Sequence, residues 1–263
     1  MEDRLRDGRK TKTVNLALSV VRRVLNLAAR KWRDGHGLTW LQTAPLISML
    51  PVTDARAPYP LSWDEQRLLF QALPAHLARM ALFKVNTGTR DQEVCGLRWE
   101  WEVRLPELDT SVFLIPGKLV KNREDRVVVL NAVSKRVIDE VRGQHSDYVF
   151  TYRGNAIGTM HNSGWQAARA RAAKQYQDAL DEPAPEGFKA IRVHDLKHTF
   201  GRRLRAAGVS LETRKVLLGH TTGDITSHYS APELHELIEA ANRVCAGESG
   251  KTPALTLIKT KSG

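Results

Sequence analysis

The sequence predicts a mainly α-helical fold with a small antiparallel β-sheet, an α+β arrangement. Helical periodicity and helix-capping residues recur over most of the 263 residues. Two β-like runs, at 112–116 and 126–130, flank a polar turn and indicate a hairpin. A proline-rich stretch without periodicity separates a basic helical segment from the rest. We therefore predict four parts: a helical domain over 1–50, a linker over 51–61, a larger domain over 62–246 and a flexible tail over 247–263.

The first element is predicted as a helix over 13–33, where apolar residues recur at alternating steps of four and three, from Val14 to Trp32. Its opposite face is basic and carries Arg22, Arg23, Arg30 and Lys31. Such a helix packs through its apolar side and can lay its charged side along phosphates. For any single residue, a solvated charged face is an equal alternative. Residues 34–50 are expected to form a turn and a short helical or irregular piece.

Local signals define the elements of the larger domain. Ser62 and Glu65 form a capping box that opens a helix to about Leu73. Gly88 is a left-handed C-cap for a helix over 76–87. The other predicted elements are, in chain order, a short helix over 90–97, the two hairpin strands, helices from Asn131, a short strand at 148–150, a long helix near 158–175, a helix over 194–207 ending at Gly208, a helix capped by Ser210, and a final helix to about Val244 with Pro232 in its first turn.

Charge and cysteine content restrict the partner and the compartment. A net charge of +11 and a pI near 9.9 favour a polyanion, of which nucleic acid is the commonest. The excess lies in two regions: 1–55 holds ten Lys and Arg against five acids, and 191–230 holds seven against three. Only two cysteines occur, without zinc spacing, so a reducing cytoplasm is expected rather than disulfides or a structural zinc. Neither a signal-peptide pattern nor an apolar run of about 20 residues is present, so no membrane association is expected.

The segment HDLKHTF, at 194–200, admits three interpretations: a metal pair, two core histidines, or part of a phosphate site. His194 and His198 share a helix face, but the metalloprotease pattern requires Glu where Asp195 stands, and no third ligand is evident. No metal site is therefore predicted. The apolar side of this helix is predicted to face the core through Leu196, Phe200 and Leu204.

Other polar residues along the chain extend the phosphate interpretation. They are Arg90 and Glu93 in TGTRDQEVCGLRW, Lys118 and Lys121 near the hairpin tip, Lys197 in HDLKHTF, His220 in LLGH, and Tyr229 in HYS. Cationic donors stabilise the extra charge on a pentacoordinate phosphorus. A tyrosine hydroxyl can be the covalent nucleophile. The set is suited to attack on a phosphodiester rather than to metal binding.

Together, in this order and spacing, these motifs resemble the tyrosine recombinases of the phage-integrase family over about residues 60–245. The resemblance implies a site-specific DNA recombinase, or integrase, that cuts and rejoins DNA through a 3′-phosphotyrosyl intermediate without metal or nucleotide cofactor. It implies double-stranded DNA as partner and a free monomer that forms a homotetramer on two duplexes, with the helix at about 232–244 as an exchange surface. Accessory DNA-bending or directionality proteins are also implied. A bacterial or phage-encoded protein, cytoplasmic and associated with the nucleoid, is expected.

The resemblance further implies roles for matching residues. Arg90 corresponds to the first catalytic arginine and His194 to the general acid/base histidine. His220 corresponds to the histidine that hydrogen-bonds the scissile phosphate, and Tyr229 to the nucleophile. Residues 1–50 resemble the family's helical core-binding domain without its first helices, so this domain is expected to be incomplete, and no arm-type N-terminal domain is expected from the resemblance.

The remaining assignments concern support and proton transfer. Lys121 corresponds to the hairpin lysine that protonates the leaving 5′ oxygen, because its distance to Arg126 fits the family's hairpin. Lys118, which follows a glycine, is the alternative and is otherwise assigned to DNA binding. Glu93 and His198 correspond to residues that support the site rather than react.

Lys197 departs from the family pattern, which usually places a second arginine here. A lysine keeps the charge but loses the bidentate geometry, and one well-aligned donor is worth roughly 3 kcal/mol of transition-state stabilisation. Three explanations compete: a natural variant with compensating contacts, a weakened enzyme, or a protein kept for DNA binding. We favour the first, because every other position is filled. The rival functions are a catalytically weakened or non-catalytic DNA-binding protein and a relaxing topoisomerase.

Overall fold

The structure is a computed structural model that describes residues 7–120, 123–220 and 230–245. The chain divides into two compact units, Met1–Ala57 and Pro58–Gly263. The boundary falls inside the stretch 51–61 that was predicted as a linker. The predicted tail over 247–263 lies outside the described residues.

Among the described residues of the first unit, the main element is a helix, α1, over Thr11–Arg30. The irregular chain that follows α1 is tied back to it by hydrogen bonds. The Thr11 backbone N–H donates to a carboxylate oxygen of Asp54 at 2.7 Å. The side-chain amide of Asn15 exchanges bonds of 2.8 and 2.9 Å with the Leu50 backbone. Residues 34–50 are irregular, which was one of the two predicted alternatives.

The second unit carries the other α-helices and β-strands of the described residues. They are α2 (Trp63–Ala72), α3 (Ala75–Thr87), α4 (Asp91–Cys95), β1 (Glu102–Leu105), β2 (Thr110–Ile115), β3 (Arg126–Val129), α5 (Ala132–Val141), β4 (Thr151–Tyr152), β5 (Asn155–Ala156), α6 (Ser163–Leu180), α7 (Glu186–Lys189), α8 (Asp195–Ala206), α9 (Leu211–Leu217) and α10 (Ala231–Asn242). The predicted fold class, mainly helical with a small antiparallel sheet, is confirmed. Within the described residues, no helix combines the length and the apolar character needed to cross a membrane.

Helix boundaries follow the capping residues. Both bonds of the predicted capping box form, between the Ser62 side chain and the Glu65 backbone and between the Glu65 carboxylate and the Ser62 backbone. Gly88 ends α3 in the left-handed conformation, with a φ of 63°. After α8, Gly208 has a φ of 72°. The Ser210 hydroxyl caps α9 by accepting the N–H of Thr213 at 3.1 Å.

The three-stranded sheet has the order β1-β2-β3 and is antiparallel throughout. In its register Val112 pairs with both Val103 and Val129, and Ile115 pairs with Arg126. The sequence predicted β2 and β3 but missed β1. The predicted strand at 148–150 is wrong: only Tyr148 makes a single bridge, to Arg98, and the β4–β5 hairpin begins three residues later.

The long helix predicted near 158–175 begins later than expected, at Ser163. Asn162 decides this start, because its side-chain carbonyl accepts the N–H of Trp165 at 3.1 Å. The short helix α7 was not predicted.

Helix α8 lies between two hydrophobic clusters. Leu196 belongs to the larger cluster, which α2, α3, α5 and α6 build with the sheet. Phe200 and Leu204 belong to a smaller one shared with α9, α10 and the outer sheet residues. All three side chains are fully buried, so the predicted apolar stripe is confirmed. Because both cores hold α8, the polar residues at its start have a fixed position.

Candidate functional site

Arg90 stands at the turn between α3 and α4, where the left-handed Gly88 reverses the chain. The Glu93 carboxylate accepts two bonds from Arg90: one from its backbone N–H and one from its guanidinium, each 2.6 Å long. The Arg90 side chain remains 24% exposed, whereas that of Glu93 is only 3% exposed. The buried Glu93 carboxylate thus fixes the orientation of the Arg90 guanidinium. Part of the guanidinium stays exposed and is accessible to a ligand.

Glu93 is shared with a second arginine, Arg126, at the start of β3. This guanidinium is 4% exposed and donates both to the Glu93 carboxylate and, over 3.0 Å, to the Gly88 carbonyl. Burial alone raises the pKa of Glu93, but the charge of Arg126 and the bonds from Arg90 outweigh it and lower that pKa below its ordinary value. Glu93 is therefore ionised at neutral pH.

The turn that follows α9 collects three cations on consecutive carbonyl oxygens. Arg126 donates to Leu217 at 3.4 Å, the Lys197 ammonium donates to Leu218, and Arg90 donates to Gly219 at 3.0 Å. The last carbonyls of a helix lack intrahelical partners and carry the negative end of its dipole, so cations are favourable there. His220 comes directly after this turn, and its backbone N–H donates to the backbone carbonyl of Lys215 at 2.9 Å. Residues from α4, β3, α8 and α9 thus meet at one place.

The histidines of HDLKHTF lie one helical turn apart at the start of α8. The His194 and His198 rings are 4.9 Å apart and nearly perpendicular. Desolvation, followed by the nearby charges of Lys84, His198 and Lys197, lowers the pKa of His194 below its ordinary value. Partial desolvation and the charges of Lys197 and Arg90 lower the pKa of His220 in the same direction. Both imidazoles are therefore neutral at physiological pH and can accept a proton or a hydrogen bond.

Two lysines are buried beside this cluster. Lys197 is 4% exposed, and burial, with the charges of Arg126 and Arg90, lowers its pKa to about 6. Lys84 of α3 is fully buried, donates its ammonium to the Thr89 carbonyl, and has a pKa lowered by burial to about 8. Lys84 therefore braces the turn that presents Arg90.

Sequence reasoning missed the roles of Arg126 and Lys84. Lys84 interrupts the buried face of α3 one turn after Met80, and a lysine in an apolar stripe signals a buried charge. Arg126 opens a strand whose other residues are apolar. Neither pattern reveals which carbonyl or carboxylate the cation meets. The partners of Arg126 lie 33 to 91 residues away, and the Thr89 carbonyl meets Lys84 only through the turn after α3.

The other predicted site residues are placed as follows. Lys118 is exposed, next to the buried Gly117. Lys121 and Tyr229 lie outside the described residues. In the first unit, Arg22, Arg23, Arg30 and Lys31 are exposed and line one shallow depression along α1. Among the described residues, no group of three or more His, Cys, Asp or Glu could hold a metal ion.

The resulting cluster is rich in cations and neutral imidazoles, and its buried Glu93 carboxylate is already paired with two arginines. Such a set suits a phosphate group, because charge-assisted bonds to phosphate oxygens are strong. Residues 62–235 match the model of the phage integrase family. The chain belongs to the phage integrase family.

Relatives in the phage integrase family cover most of the chain. The integrase of Salmonella phage P22 is 24% identical over 259 residues, which is 94% of this chain and 60% of that protein. The tyrosine recombinase XerC of Pelobacter propionicus is 25% identical over 77% of this chain and 64% of its own length. The tyrosine recombinase XerD of Mycobacterium tuberculosis is 27% identical over 85% of this chain and 70% of its own length. The chain thus spans between 60% and 70% of these relatives.

Solved structures of the family share the fold. The Tn1549 transposon integrase, in complex with a circular intermediate DNA, aligns with a TM-score of 0.58 and 15% identity over 90% of this chain and 81% of that one. The XerH site-specific recombinase, bound to palindromic difH substrate, aligns with a TM-score of 0.54 and 15% identity over 97% and 68% of the two chains.

Proposed function

We propose that this chain is a site-specific DNA recombinase that cuts and rejoins DNA through a 3′-phosphotyrosyl intermediate. The observation that carries the proposal is the meeting of Arg90, Lys197 and His220 at one turn, with His194 and His198 on the adjacent helix. These groups come from separate elements and together provide cations and neutral bases. Membership of the phage integrase family supports the same reaction.

In the proposed reaction, the Tyr229 hydroxyl oxygen attacks the scissile phosphorus. A bond forms between that oxygen and phosphorus while the bond to the 5′ oxygen breaks. Arg90 and Lys197 offset the charge that grows on the non-bridging oxygens, and His220 donates a hydrogen bond to one of them. The neutral His194 accepts the proton of the tyrosine hydroxyl. Because the phosphotyrosyl bond retains the energy of the phosphodiester, resealing needs neither metal nor nucleotide.

The leaving 5′ oxygen requires a proton, which we assign to Lys121, with Lys118 as the alternative. Rejoining is the same step in reverse, with the 5′ hydroxyl of another strand as nucleophile. Exchange between two duplexes requires four protomers, so we propose a homotetramer on double-stranded DNA. Accessory DNA-bending or directionality proteins, and action at the nucleoid in the cytoplasm, belong to this proposal as well.

The proposal is tested by covalent capture on suicide DNA. The probe is a pool of duplexes, each nicked at one fixed position and randomised on both sides, so that cleavage releases a short strand and traps the protein. We expect the wild-type protein to form adducts that resist detergent and are lost on proteolysis. Tyr229→Phe should form none, because phenylalanine lacks the attacking oxygen. Sequencing the captured strands identifies the target site.

Tyr152→Phe is the matched control, because Tyr152 lies on the β4–β5 hairpin and packs against His76 rather than at the cluster. It should form adducts like the wild type. Adducts that persist in Tyr229→Phe would overturn the assignment of the nucleophile. Salt-dependent binding without any wild-type adduct would favour a non-catalytic DNA-binding protein. Relaxation of a supercoiled plasmid that lacks the selected site would favour a topoisomerase.

A further inference from the structure

We propose that Arg126 is a positioning residue that holds the Arg90 turn and the His220 turn at a fixed separation. The inference rests on the proposed function, because the groups that it positions are those assigned to strand cleavage. Arg126 itself is 4% exposed and lies beneath the cluster, so it acts through its neighbours rather than on the DNA.

The first contact of Arg126 is with the Arg90 side of the site. One terminal nitrogen donates to the Glu93 carboxylate, whose other bonds hold the backbone and guanidinium of Arg90. The second terminal nitrogen donates to the Gly88 carbonyl over 3.0 Å. Arg126 is therefore attached to both ends of the turn that presents Arg90.

The second contact is with the turn after α9. The terminal nitrogen that meets Gly88 also approaches the Leu217 carbonyl, at 3.4 Å. Gly219 lies directly on the guanidinium: a Cβ there would stand 2.7 Å from both Cζ and Nε of Arg126. Two features favour glycine at position 219: its left-handed backbone, with a φ of 59°, and the close approach of the guanidinium. The Nε of Arg126 has no hydrogen-bond partner among the described residues. This agrees with the position of Gly219, which packs directly against that nitrogen.

The energetics of buried charge favour a geometric role for this pair. Taking Arg126 and Glu93 out of water carries a desolvation penalty that their mutual attraction only roughly offsets, so a buried ion pair is weak grounds for a stability role. A planar guanidinium instead fixes distances and angles in several directions at once. Segments at 88–93, at 126 and at 217–219 are far apart in sequence, and this one side chain links them.

The test compares Arg126→Lys, Gly219→Ala and the double variant, in the full chain. Lysine at position 126 keeps the positive charge opposite Glu93 but cannot donate to Glu93 and Gly88 from two fixed nitrogens at once. The methyl group of alanine at position 219 would collide with the Arg126 guanidinium. Gly143→Ala is the matched control, because Gly143 is also left-handed, with a φ of 80°, but is exposed and has nothing within 4 Å of a Cβ. All four proteins are first shown to unfold cooperatively in urea.

The first readout is hydrogen exchange of the DNA-free proteins in the peptide that covers the end of α9 and His220. We expect exchange there to rise on the order of tenfold or more in Arg126→Lys and in Gly219→Ala, and to stay unchanged in Gly143→Ala. Unchanged exchange in Arg126→Lys would overturn the inference, whether or not the protein cleaves DNA.

The second readout is the single-turnover rate of adduct formation at saturating suicide duplex. We expect each single variant to fall on the order of 10- to 100-fold, with the DNA dissociation constant changed by less than about threefold, because small misplacements of reacting groups slow chemistry more than binding. The double variant should fall little further than the slower single variant, because both act through one contact.

The inference would be contradicted if the rate loss of the double variant equalled the product of the two single losses. A wild-type rate of adduct formation in Arg126→Lys would also contradict it. Failure of the wild type to form any adduct would instead contradict the proposed function, and the exchange measurement separates the two failures.

Discussion

Lys197 is a cation that can lose its proton, whereas the arginine that the family usually carries at this position cannot. Its ammonium is buried and donates to the Leu218 carbonyl. Burial, together with the charges of Arg126 and Arg90, lowers its pKa to about 6. In the DNA-free protein at neutral pH, the neutral form of Lys197 is therefore well populated, so the role in phosphate binding that we propose for it should depend on pH.

Lys197→Arg should remove this dependence. Above about pH 6 wild-type Lys197 is progressively deprotonated, whereas the substituted arginine stays charged because the arginine pKa exceeds about 12. We expect the ratio of the variant's adduct-formation rate to that of the wild type to rise as the pH increases from about 6 to about 9. The rate constant at subsaturating DNA is the measurement, because it reports groups of the free protein.

The exposed Arg202→Lys serves as the control and should leave the pH profile unchanged. Parallel profiles for wild type and Lys197→Arg would refute a titrating Lys197. A large loss of rate in Lys197→Arg at every pH would show that the site is built around lysine.

At the scale of the element, the start of α8 is held by the last residues of the predicted linker. The Asp195 carboxylate accepts the backbone N–H groups of Tyr59 at 3.1 Å and Arg192 at 2.8 Å. One turn later the Thr199 hydroxyl accepts the N–H of Leu61 at 3.0 Å. Residues 59–61 therefore form an extended strap along the helix that carries the two histidines.

Asp195→Ala should destabilise the protein by about 3 kcal/mol, because it leaves two backbone donors without their acceptor near a buried position. Urea unfolding is the measurement. Asp139→Ala is the control: this aspartate is 49% exposed and pairs with Lys135 of its own helix, so its loss should cost about 0.5 kcal/mol or less. A similar small loss in both variants would show that the strap contributes little to stability.

At the scale of the whole molecule, the net charge of +11 should make DNA binding strongly salt-dependent. The exposed basic face of α1 is expected to supply part of this dependence, through Arg22, Arg23, Arg30 and Lys31. Replacing all four with alanine should reduce the slope of log affinity against log salt by about 0.9 for each phosphate that the protein no longer neutralises, or up to about 4.

The measurement is DNA affinity over a salt series, with Lys135→Ala/Lys189→Ala as the control. These two lysines pair with carboxylates of their own helices and should change the slope very little. If the slope is unchanged in the four-residue variant, the basic face of α1 is exposed to solvent and does not contact DNA.

Helix boundaries were predictable where a few neighbouring atoms decide them. The Ser62–Glu65 box and the left-handed Gly88 and Gly208 depend only on residues within about one turn, and all of them form. The strand predicted at 148–150 was wrong because Tyr148 finds a partner only in Arg98, and a single bridge does not make a strand. Strand β1 was missed because its pairing with β2, rather than its own sequence, makes it a strand.

The sequence by itself determined the mainly helical fold class, the basic character and the family, since periodicity, charge and motif order are properties of the chain. Tertiary structure alone decided that Arg126, Lys197 and Arg90 donate to the consecutive carbonyls of Leu217, Leu218 and Gly219, respectively. It also decided that Lys84 is a buried brace and that Lys197 lies in surroundings that weaken its hold on a proton. The physical reason is distance along the chain: desolvation and charge proximity arise from partners up to about 130 residues away, which only the packing of two cores around α8 brings together.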